Sequence, residues 1–252
     1  MVLKTLSCVF RLSDGCTNKL LTGNEAGLYI GSTKLRHQYK EGGYFVVCDL
    51  PCGEYDISVR AYGFQTETVH ITVTQTPVTD VIYLTLNASE NHPSASRMSG
   101  VKGKAVDIER LYVIRQTDKL RVAEEKTAAG AQEIKMFAEG ASPVFPLDCL
   151  LGSGAHSEIV TFTANENGVC KTAAPMKYAH KRSESAMPLI RLQCGEDGFF
   201  MLVPSEFAKD KDTGKIPLEF AALKSGKVLF ANAQIVPMKK NDIGELKLKG
   251  DK

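Results

Sequence analysis

The chain has 252 residues, and at roughly 150 residues per domain this length admits one large domain or two ordinary ones. Hydrophobic residues make up 43% and charged residues 24% of the sequence, and 31 Lys and Arg balance 29 Asp and Glu. This composition excludes a disordered tail, a collagen and a polycation that coats nucleic acid. No segment reaches the roughly 18 consecutive apolar residues that a membrane-spanning helix requires.

The cysteines and the first residues bear on the compartment. Seven cysteines are too few for a small disulfide-built fold, and their odd number leaves at least one thiol unpaired. The apolar run at residues 1–11 is interrupted by Lys4, Thr5 and Ser7, and no small-residue cleavage pattern follows it. We therefore expect synthesis in the cytoplasm without a signal peptide, and reduced thiols.

Six strand-length runs are predicted within the first 86 residues. The first run places Leu6, Cys8, Phe10 and Leu12 on one face of a strand. The others lie at 28–30, 44–48, 54–61, 68–73 and 80–86. All are rich in β-branched and aromatic residues and are bounded by Gly, Pro or Asp, which is typical of an antiparallel β-sandwich. A parallel architecture is disfavoured because it needs helix-length crossovers.

A turn-rich motif occupies residues 43–64. It consists of Gly43, Tyr44, Phe45, Asp49, Leu50, Pro51, Gly53, Tyr55, Ile57, Val59, Ala61, Gly63 and Phe64. Pro51 presets a turn, Gly53 is expected at positive φ, and Tyr55, Ile57 and Val59 are expected to point into the core. The motif closely resembles that of the carboxypeptidase regulatory-like domain, a seven-stranded prealbumin-like, Ig-like β-sandwich, and the resemblance covers about residues 3–86.

The resemblance implies an accessory, non-catalytic module. Domains of this family occur on peptidases, transporters, adhesins and virus tail parts, and they carry no catalytic residues to transfer to this chain. The residues that carry the resemblance are therefore interpreted as a fold motif rather than a binding site: Gly43, Tyr44, Leu50, Pro51, Gly53, Tyr55, Gly63 and Phe64.

The rest of the chain is predicted as a linker and a second β-rich domain. Residues 87–107 are small and polar without periodicity, which indicates a solvated linker or a mildly basic arm that docks on an acidic partner. In residues 108–252, strands are predicted at 111–114, 120–122, 134–137, 159–163, 189–192, 199–203, 218–220, 228–231 and 245–248. Residues 124–135 could instead be helical. The predicted fold is all-β, with two sandwich-like domains at 1–86 and 108–252.

Few residues have the sequence spacing of a catalytic or metal-binding motif. Cys48 and Cys52 lack two further ligands at zinc spacing, and the five histidines form no metallopeptidase pattern: His37, His70, His92, His156 and His180. Residues 152–156 lack nucleophile-elbow spacing, and residues 210–214 lack the later acidic ligands of a calcium loop, so an Asx turn is favoured there. We expect no catalytic residue, no metal and no cofactor.

Three classes of function remain. The favoured class is a structural or interaction protein whose loops and edge strands dock onto other protein chains, in a homo- or hetero-assembly. Its specific form, by analogy with the family, is a component of a phage tail or contractile injection particle, such as a baseplate part.

The alternative is a carbohydrate or cell-surface, adhesin-like binding module. An enzyme is least favoured, and its residues would be sought only among Cys149, His156, Cys170 and His180. Nucleic acid is not expected as a partner, because one basic cluster at 177–182 does not make a basic face when the net charge is +2.

Overall fold

A computed structural model of the chain describes residues 5–17, 19–75, 80–115, 119–139 and 145–250. The protein is all-β, as the sequence predicts: these ranges contain no α-helix and one short 3-10 turn, Gly154–His156. Contacts divide the chain into two compact units, Met1–Arg97 and Met98–Lys252. Within the described ranges, no helix is long and apolar enough to cross a membrane.

Unit 1, Met1–Arg97, is a β-sandwich of two four-stranded sheets. Its strands are β1 (Leu6–Asp14), β2 (Ala26–Ile30), β3 (Thr33–Lys34), β4 (Gln38–Lys40), β5 (Tyr44–Cys48), β6 (Gly53–Ala61), β7 (Glu67–Val73) and β8 (Val81–Leu86). The sheet orders are β4-β5-β1-β8 and β3-β2-β6-β7. Both sheets contribute fully buried side chains to one core, among them Phe10, Phe45, Leu28 and Ile57.

All six strands predicted in this unit are confirmed, and the sandwich has two more than those six. Strands β3 and β4 are two and three residues long and all of their residues are exposed, so no apolar alternation marks them in the sequence. One expectation is wrong, because β1 and β8 pair in parallel. No helical crossover is needed for this parallel pair, because the strand that precedes β8 in the chain, β7, belongs to the opposite sheet.

The turn before β6 has the predicted positive-φ glycine and a second positive-φ residue that the sequence does not predict. The hydroxyl of Tyr55, which is half-buried at the rim of the core, donates to the carbonyl of Pro51 at 2.9 Å. Gly53 has the positive φ that the sequence predicts, at 158°, and Asp49 also has positive φ, at 62°. Asp49 tolerates this conformation because its carboxylate accepts the Thr5 N–H at 2.9 Å, as short polar side chains do at such positions.

The remaining motif residues shape the ends of β5 and β6. Gly43 enters β5 at φ 79°, and Tyr44 follows it on the side of the sheet away from the core. Leu50 packs at the edge of the core, and its N–H donates to the Ser7 hydroxyl at 2.9 Å. Gly63 has φ 81° in the turn after β6, and the motif as a whole therefore serves the fold.

The segment predicted as a linker, residues 87–107, is divided between the two units. Residues 87–97 fold against the turn after β6, where the Ser89 N–H donates to the Gly63 carbonyl at 2.8 Å. Gly100–Lys104 forms strand β9 in unit 2. The sequence pattern indicates neither the packed segment 87–97 nor strand β9, because the residues are small and polar and show no apolar periodicity. Backbone hydrogen bonds hold them in place instead.

Unit 2, Met98–Lys252, contains the other strands. They are β9, β10 (Arg110–Ile114), β11 (Lys119–Val122), β12 (Lys126–Thr127), β13 (Glu133–Glu139), β14 (Leu147–Leu151), β15 (Glu158–Glu166), β16 (Val169–Thr172), β17 (His180–Lys181), β18 (Ser185–Leu192), β19 (Phe199–Leu202), β20 (Ile216–Lys224), β21 (Lys227–Ile235) and β22 (Lys240–Glu245). The helical alternative for residues 124–135 is wrong, since β13 pairs antiparallel with β11. The last strand lies earlier than predicted, because it pairs with β9.

Six of these strands close into a ring, in the order β11-β13-β16-β15-β14-β18, because β18 pairs back with β11. The ring encloses one core, which includes Ile134, Phe162 and Ala186. The second half of β18 pairs with β10 and continues into β20 and β21. Residues of these strands share a second core with the three-stranded sheet β19-β9-β22, which gives unit 2 its sandwich-like part.

Candidate functional site

The residues among which catalysis would be sought do not form a reactive group. Cys149 and Cys170 lie in the core of the ring with no exposed surface. Burial raises the pKa of the Cys170 thiol to about 11, so the thiol stays protonated and is a poor nucleophile at neutral pH. Both cysteines therefore act as small core residues.

His180 lies instead in a polar group that we call the His180 cluster, formed with the buried Glu158 and with Glu184, whose side chain is 30% exposed. The His180 ring has no exposed surface, its Nε2 lies 2.9 Å from Glu158 Oε1, and its Nδ1 lies 2.8 Å from Glu184 Oε2. Glu158 also accepts the backbone N–H groups of Lys177 and Tyr178, at 2.8 and 2.9 Å. A ring with a carboxylate at each nitrogen is best satisfied as the doubly protonated imidazolium.

The electrostatics of the His180 cluster favour this charged form. Burial alone would lower the pKa of His180, but the hydrogen bonds to Glu158 and Glu184 outweigh it, and the pKa lies above its ordinary value. Burial alone would raise the pKa of Glu158, but the hydrogen bonds from His180 and two backbone N–H groups outweigh it and lower the pKa. Both ring nitrogens are engaged and shielded from solvent, so the cluster stabilises the fold rather than meeting a substrate.

The loop at residues 152–156 packs against this cluster. A Cβ at Gly152 would lie 2.8 Å from the His156 carbonyl oxygen and 3.3 Å from Cε1 of His180, so only glycine fits there without displacement. His156 is exposed and contacts Tyr178 edge-on, at 5.3 Å between ring centroids. Close packing therefore requires glycine at position 152, whereas a Cβ at Gly154, which has φ 58°, would meet nothing within 4 Å.

The remaining residues considered for metal binding lie apart. Cys48 is half-buried at the end of β5 and Cys52 is exposed in the next turn. The part of the chain that the structure describes contains no group of three or more His, Cys, Asp or Glu that could hold a metal ion. Asp210 forms the predicted Asx turn, with Oδ1 accepting the N–H groups of Asp212 and Thr213 at 3.1 and 2.7 Å, which confirms that interpretation.

The basic cluster at 177–182 does not form a continuous basic face. Lys177 donates to the Gly226 carbonyl at 3.2 Å, Arg182 pairs with Glu125 at 2.8 Å, and His180 is buried. Its charges point to separate partners within unit 2. This is unlike the basic field over one face that a nucleic-acid-binding protein presents.

The surface with the character of a binding site lies in unit 1, on the side of the sheet β4-β5-β1-β8 that faces away from the core. Side chains alternate along a strand, so residues beside the core positions of β1, β5 and β8 share this side. Strand pairing aligns them in two rows across the sheet. We call them the Val/Tyr face: the valine row is Val46, Val9 and Val81, and the second row is Tyr44, Arg11 and Tyr83.

The Val/Tyr face combines apolar, aromatic and cationic groups. Tyr83 is 41% exposed, and the other five residues are half-buried. The guanidinium carbon of Arg11 lies 5.3 Å from the ring centroid of Tyr44 and 5.9 Å from that of Tyr83. Lys40 on β4 pairs in register with Tyr44 and extends the second row. Tyrosine and arginine are enriched at the centres of protein interfaces.

The strand predictions above do not include this face, although the sequence contains one signal for it. Val9 lies on the otherwise polar side of β1, and β8 has apolar residues at both phases, with Val81 and Tyr83 alternating with Ile82 and Leu84. A sheet with one face in water normally alternates apolar and polar residues. Apolar residues at the outward phase therefore indicate a second, uncovered contact surface.

A second candidate surface of unit 1 lies beside β4. It is a cleft of about 300 Å³. Its lining residues are Thr22, Gly23, Asn24, His37 and Tyr39. The ring of Tyr39 is fixed edge-on against the buried Phe45, at 5.5 Å, and the residue is 39% exposed. The cleft offers one aromatic ring and several hydrogen-bonding side chains to a small polar ligand.

Comparison with known proteins gives no family. No protein-family profile matches the chain, and no curated protein matches its sequence. Among solved structures, it is similar to the crystal structure of CBMbc (family CBM26) from Eubacterium rectale Amy13K in complex with maltoheptaose, with 9% identity, a TM-score of 0.21, and coverage of 98% of this chain and 97% of that one.

A second similar structure is the Bacillus anthracis TIE protein, with 10% identity and a TM-score of 0.24, over 97% of this chain and 51% of the other. The chain thus spans about half the length of that protein. TM-scores this low do not establish a shared fold.

Proposed function

We propose that the chain is a non-catalytic protein that docks onto other protein chains through the Val/Tyr face of unit 1. The observation that carries this proposal is the valine row Val9, Val46 and Val81, which lies on the side of the sheet away from its own core. Removing apolar surface from water contributes roughly 25 cal/mol per Å², and an apolar row beside a Tyr-Arg-Tyr row suits a protein partner.

The absence of catalysis is part of the same proposal. It is supported by the burial of Cys149 and Cys170 and by the engagement of both ring nitrogens of His180. Each of these groups has a structural role that accounts for its position. A nucleophile or general base needs access to a substrate, and these three side chains have none.

In its finer form, the proposal assigns unit 1 to the carboxypeptidase regulatory-like domains and the chain to a phage tail or contractile injection particle. The two-sheet sandwich and the Tyr55 to Pro51 hydrogen bond support the first assignment, whereas the eight strands of unit 1 depart from the seven of that family. Mass spectrometry of particles purified from the source cells tests the second, and we expect the chain among their components. Recovery of the chain only as a free monomer would contradict it.

Docking through the Val/Tyr face predicts the effect of a charge placed in the valine row. Val81→Asp, on the edge strand β8, is expected to weaken binding to the natural partner at least tenfold, about 1.4 kcal/mol, because an unpaired carboxylate would be buried in the interface. Thr72→Asp is the matched control, since Thr72 is exposed on β7 of the other sheet. Affinity is measured by calorimetry with the partner identified in a pull-down.

The melting temperatures of both variants are expected to lie within a few degrees of that of the wild type, because each variant adds a carboxylate at the surface of an edge strand. Equal affinities for Val81→Asp and wild type would place docking elsewhere on the molecule.

A second candidate function, carbohydrate binding, is favoured by the cleft beside β4. A sugar ring could stack on Tyr39 while Asn24 and Thr22 supply hydrogen bonds. On a glycan array, Tyr39→Ala should then lose the binding that the wild type shows. Tyr62→Ala is the control, because Tyr62 is 81% exposed and does not line the cleft. A wild-type protein that binds no glycan would remove this candidate.

A further inference from the structure

Arg11 is held at the centre of the Val/Tyr face in a fixed orientation. It lies on β1, between β5 and β8, with its guanidinium between the rings of Tyr44 and Tyr83. Its Nε–H donates to the Gly42 carbonyl at 3.0 Å. One hydrogen bond and two rings restrict the rotation of the planar group, so the terminal nitrogens keep a defined direction.

The terminal nitrogens of Arg11 are not used within the described part of the chain. A guanidinium has five N–H donors, and the Gly42 carbonyl takes one of them. Asp14 is the acidic residue nearest to Arg11 in sequence, and Glu41 adjoins Gly42, but neither forms an ion pair with Arg11. Lys40, aligned with Tyr44 on the neighbouring strand, adds a second positive charge. The face therefore presents an oriented, uncompensated cation.

The matching ligand group is a carboxylate, which binds a guanidinium through two parallel hydrogen bonds. We propose that Arg11 binds an Asp or Glu side chain of a partner protein, and that this side chain lies two residues from an apolar one in an extended segment. The spacing follows from the two rows, because Arg11 and Val9 are two residues apart on β1 and a partner strand alternates at the same period. The proposal rests on the proposed docking function and specifies its partner chemistry.

A protein is favoured over an acidic glycan because of the valine row. A uronate or sialate would satisfy Arg11, but its hydroxyl groups would be desolvated against Val9, Val46 and Val81 without hydrogen-bond partners. An apolar side chain gains from the same contact. The cation and the apolar row together therefore match a partner segment that has an acidic residue and an apolar residue two positions apart.

The test is a titration of the isotope-labelled full-length chain, followed by NMR at the Arg11 side chain. The probes are the blocked peptides Thr-Glu-Thr-Val-Thr and Thr-Gln-Thr-Val-Thr. We expect the Glu peptide to bind about tenfold more tightly at low salt and to shift the Arg11 Nε–H signal, with the preference falling as salt is added. Arg11→Gln should abolish the preference, and Arg11→Lys should lose most of it because an ammonium lacks the planar fork.

Arg60→Gln is the matched control. Arg60 also lies over a tyrosine, Tyr29, at 4.6 Å, and also donates to a glycine carbonyl, that of Gly31 at 2.8 Å, but it belongs to the other sheet. This variant should keep the full preference for the Glu peptide. An equal loss in both variants would show a general charge effect and overturn the assignment to Arg11.

The remaining outcomes separate this inference from the docking function on which it rests. Equal binding of both peptides by the wild type, or binding of neither, overturns the carboxylate assignment. Arg11-dependent binding of oligogalacturonate without binding of the Glu peptide overturns the protein partner. If Val81→Asp no longer binds the natural partner while Arg11→Gln still binds it, docking through the Val/Tyr face is supported and the role of Arg11 is contradicted.

Discussion

Replacing His180 with leucine is expected to destabilise unit 2 by about 3 kcal/mol, because the change leaves the buried carboxylate of Glu158 facing an apolar side chain. Glu158 would keep two backbone N–H donors but lose its hydrogen bond to the ring, and Glu184, whose side chain is 30% exposed, would lose its hydrogen bond to the ring as well. For a unit of this size, the loss corresponds to a fall in melting temperature on the order of 8 °C.

The measurement should resolve the two units separately. The chain contains no tryptophan, so hydrogen exchange read by mass spectrometry is preferable to intrinsic fluorescence. Peptides from unit 2 should exchange faster in His180→Leu, while those from unit 1 should be unchanged. His156→Gln is the control, because His156 is exposed in the same region, and its effect should stay within about 0.5 kcal/mol. A similar small effect for His180→Leu would contradict a stabilising role for the cluster.

The size of this effect should depend on pH in a defined direction. The pKa of His180 is raised on folding, so its stabilisation is complete below about pH 6.5 and is lost as the pH rises through the folded value. The pKa of Glu158 is lowered, so its stabilisation is complete above about pH 4.5 and is lost as the pH falls through the folded value. The difference in unfolding free energy between wild type and His180→Leu should therefore be largest between these two values.

The strands could be predicted because their signal is local. Alternation along β1, β6 and β7 lies within single runs of seven to nine residues, and the core residues it marks, such as Phe10 and Ile57, are indeed buried. The same logic failed at β9, whose residues are mostly glycine and lysine, since their burial comes from neighbouring strands. Local pattern therefore gives the elements without their partners.

The candidate surfaces depend on which strands become neighbours. Arg11 and Tyr83 meet only because β1 and β8 pair in parallel, and no sequence spacing encodes that pairing. His180, on β17, and Glu158, on β15, likewise form a hydrogen bond although they are 22 positions apart in sequence. The ring of unit 2 closes through Leu120 and Ala186, which are also far apart in sequence. Chemistry that arises from such non-local contacts lies beyond prediction from one sequence.

Replacing Gly63 with alanine is expected to destabilise unit 1 by about 3 kcal/mol, for two separate reasons. Gly63 has φ 81°, a conformation that costs an L-residue with a side chain roughly 1–2 kcal/mol. The new Cβ would also lie 2.8 Å from Cα of His92 and 3.0 Å from Cδ of Pro93, so the segment 87–97 would have to move. The contact is close because the ring of Phe64 lies edge-on to that of His92, at 4.8 Å.

Gly31→Ala separates the two reasons. Gly31 has φ 58° in the same unit, and a Cβ there would meet nothing within 4 Å, so this variant carries the backbone cost alone. Its destabilisation should be about 1 kcal/mol, and the excess for Gly63→Ala measures the close approach of residues 87–97.

In hydrogen exchange, the amides of residues 87–97 should lose protection in Gly63→Ala and keep it in Gly31→Ala, because the Ser89 N–H donates to the Gly63 carbonyl. Equal effects of the two variants would mean that residues 87–97 are a free linker, as the sequence alone suggests, and that unit 1 ends at β8. A larger effect at Gly63 would instead make the packed segment part of the folded unit and place the junction of the two units after Arg97.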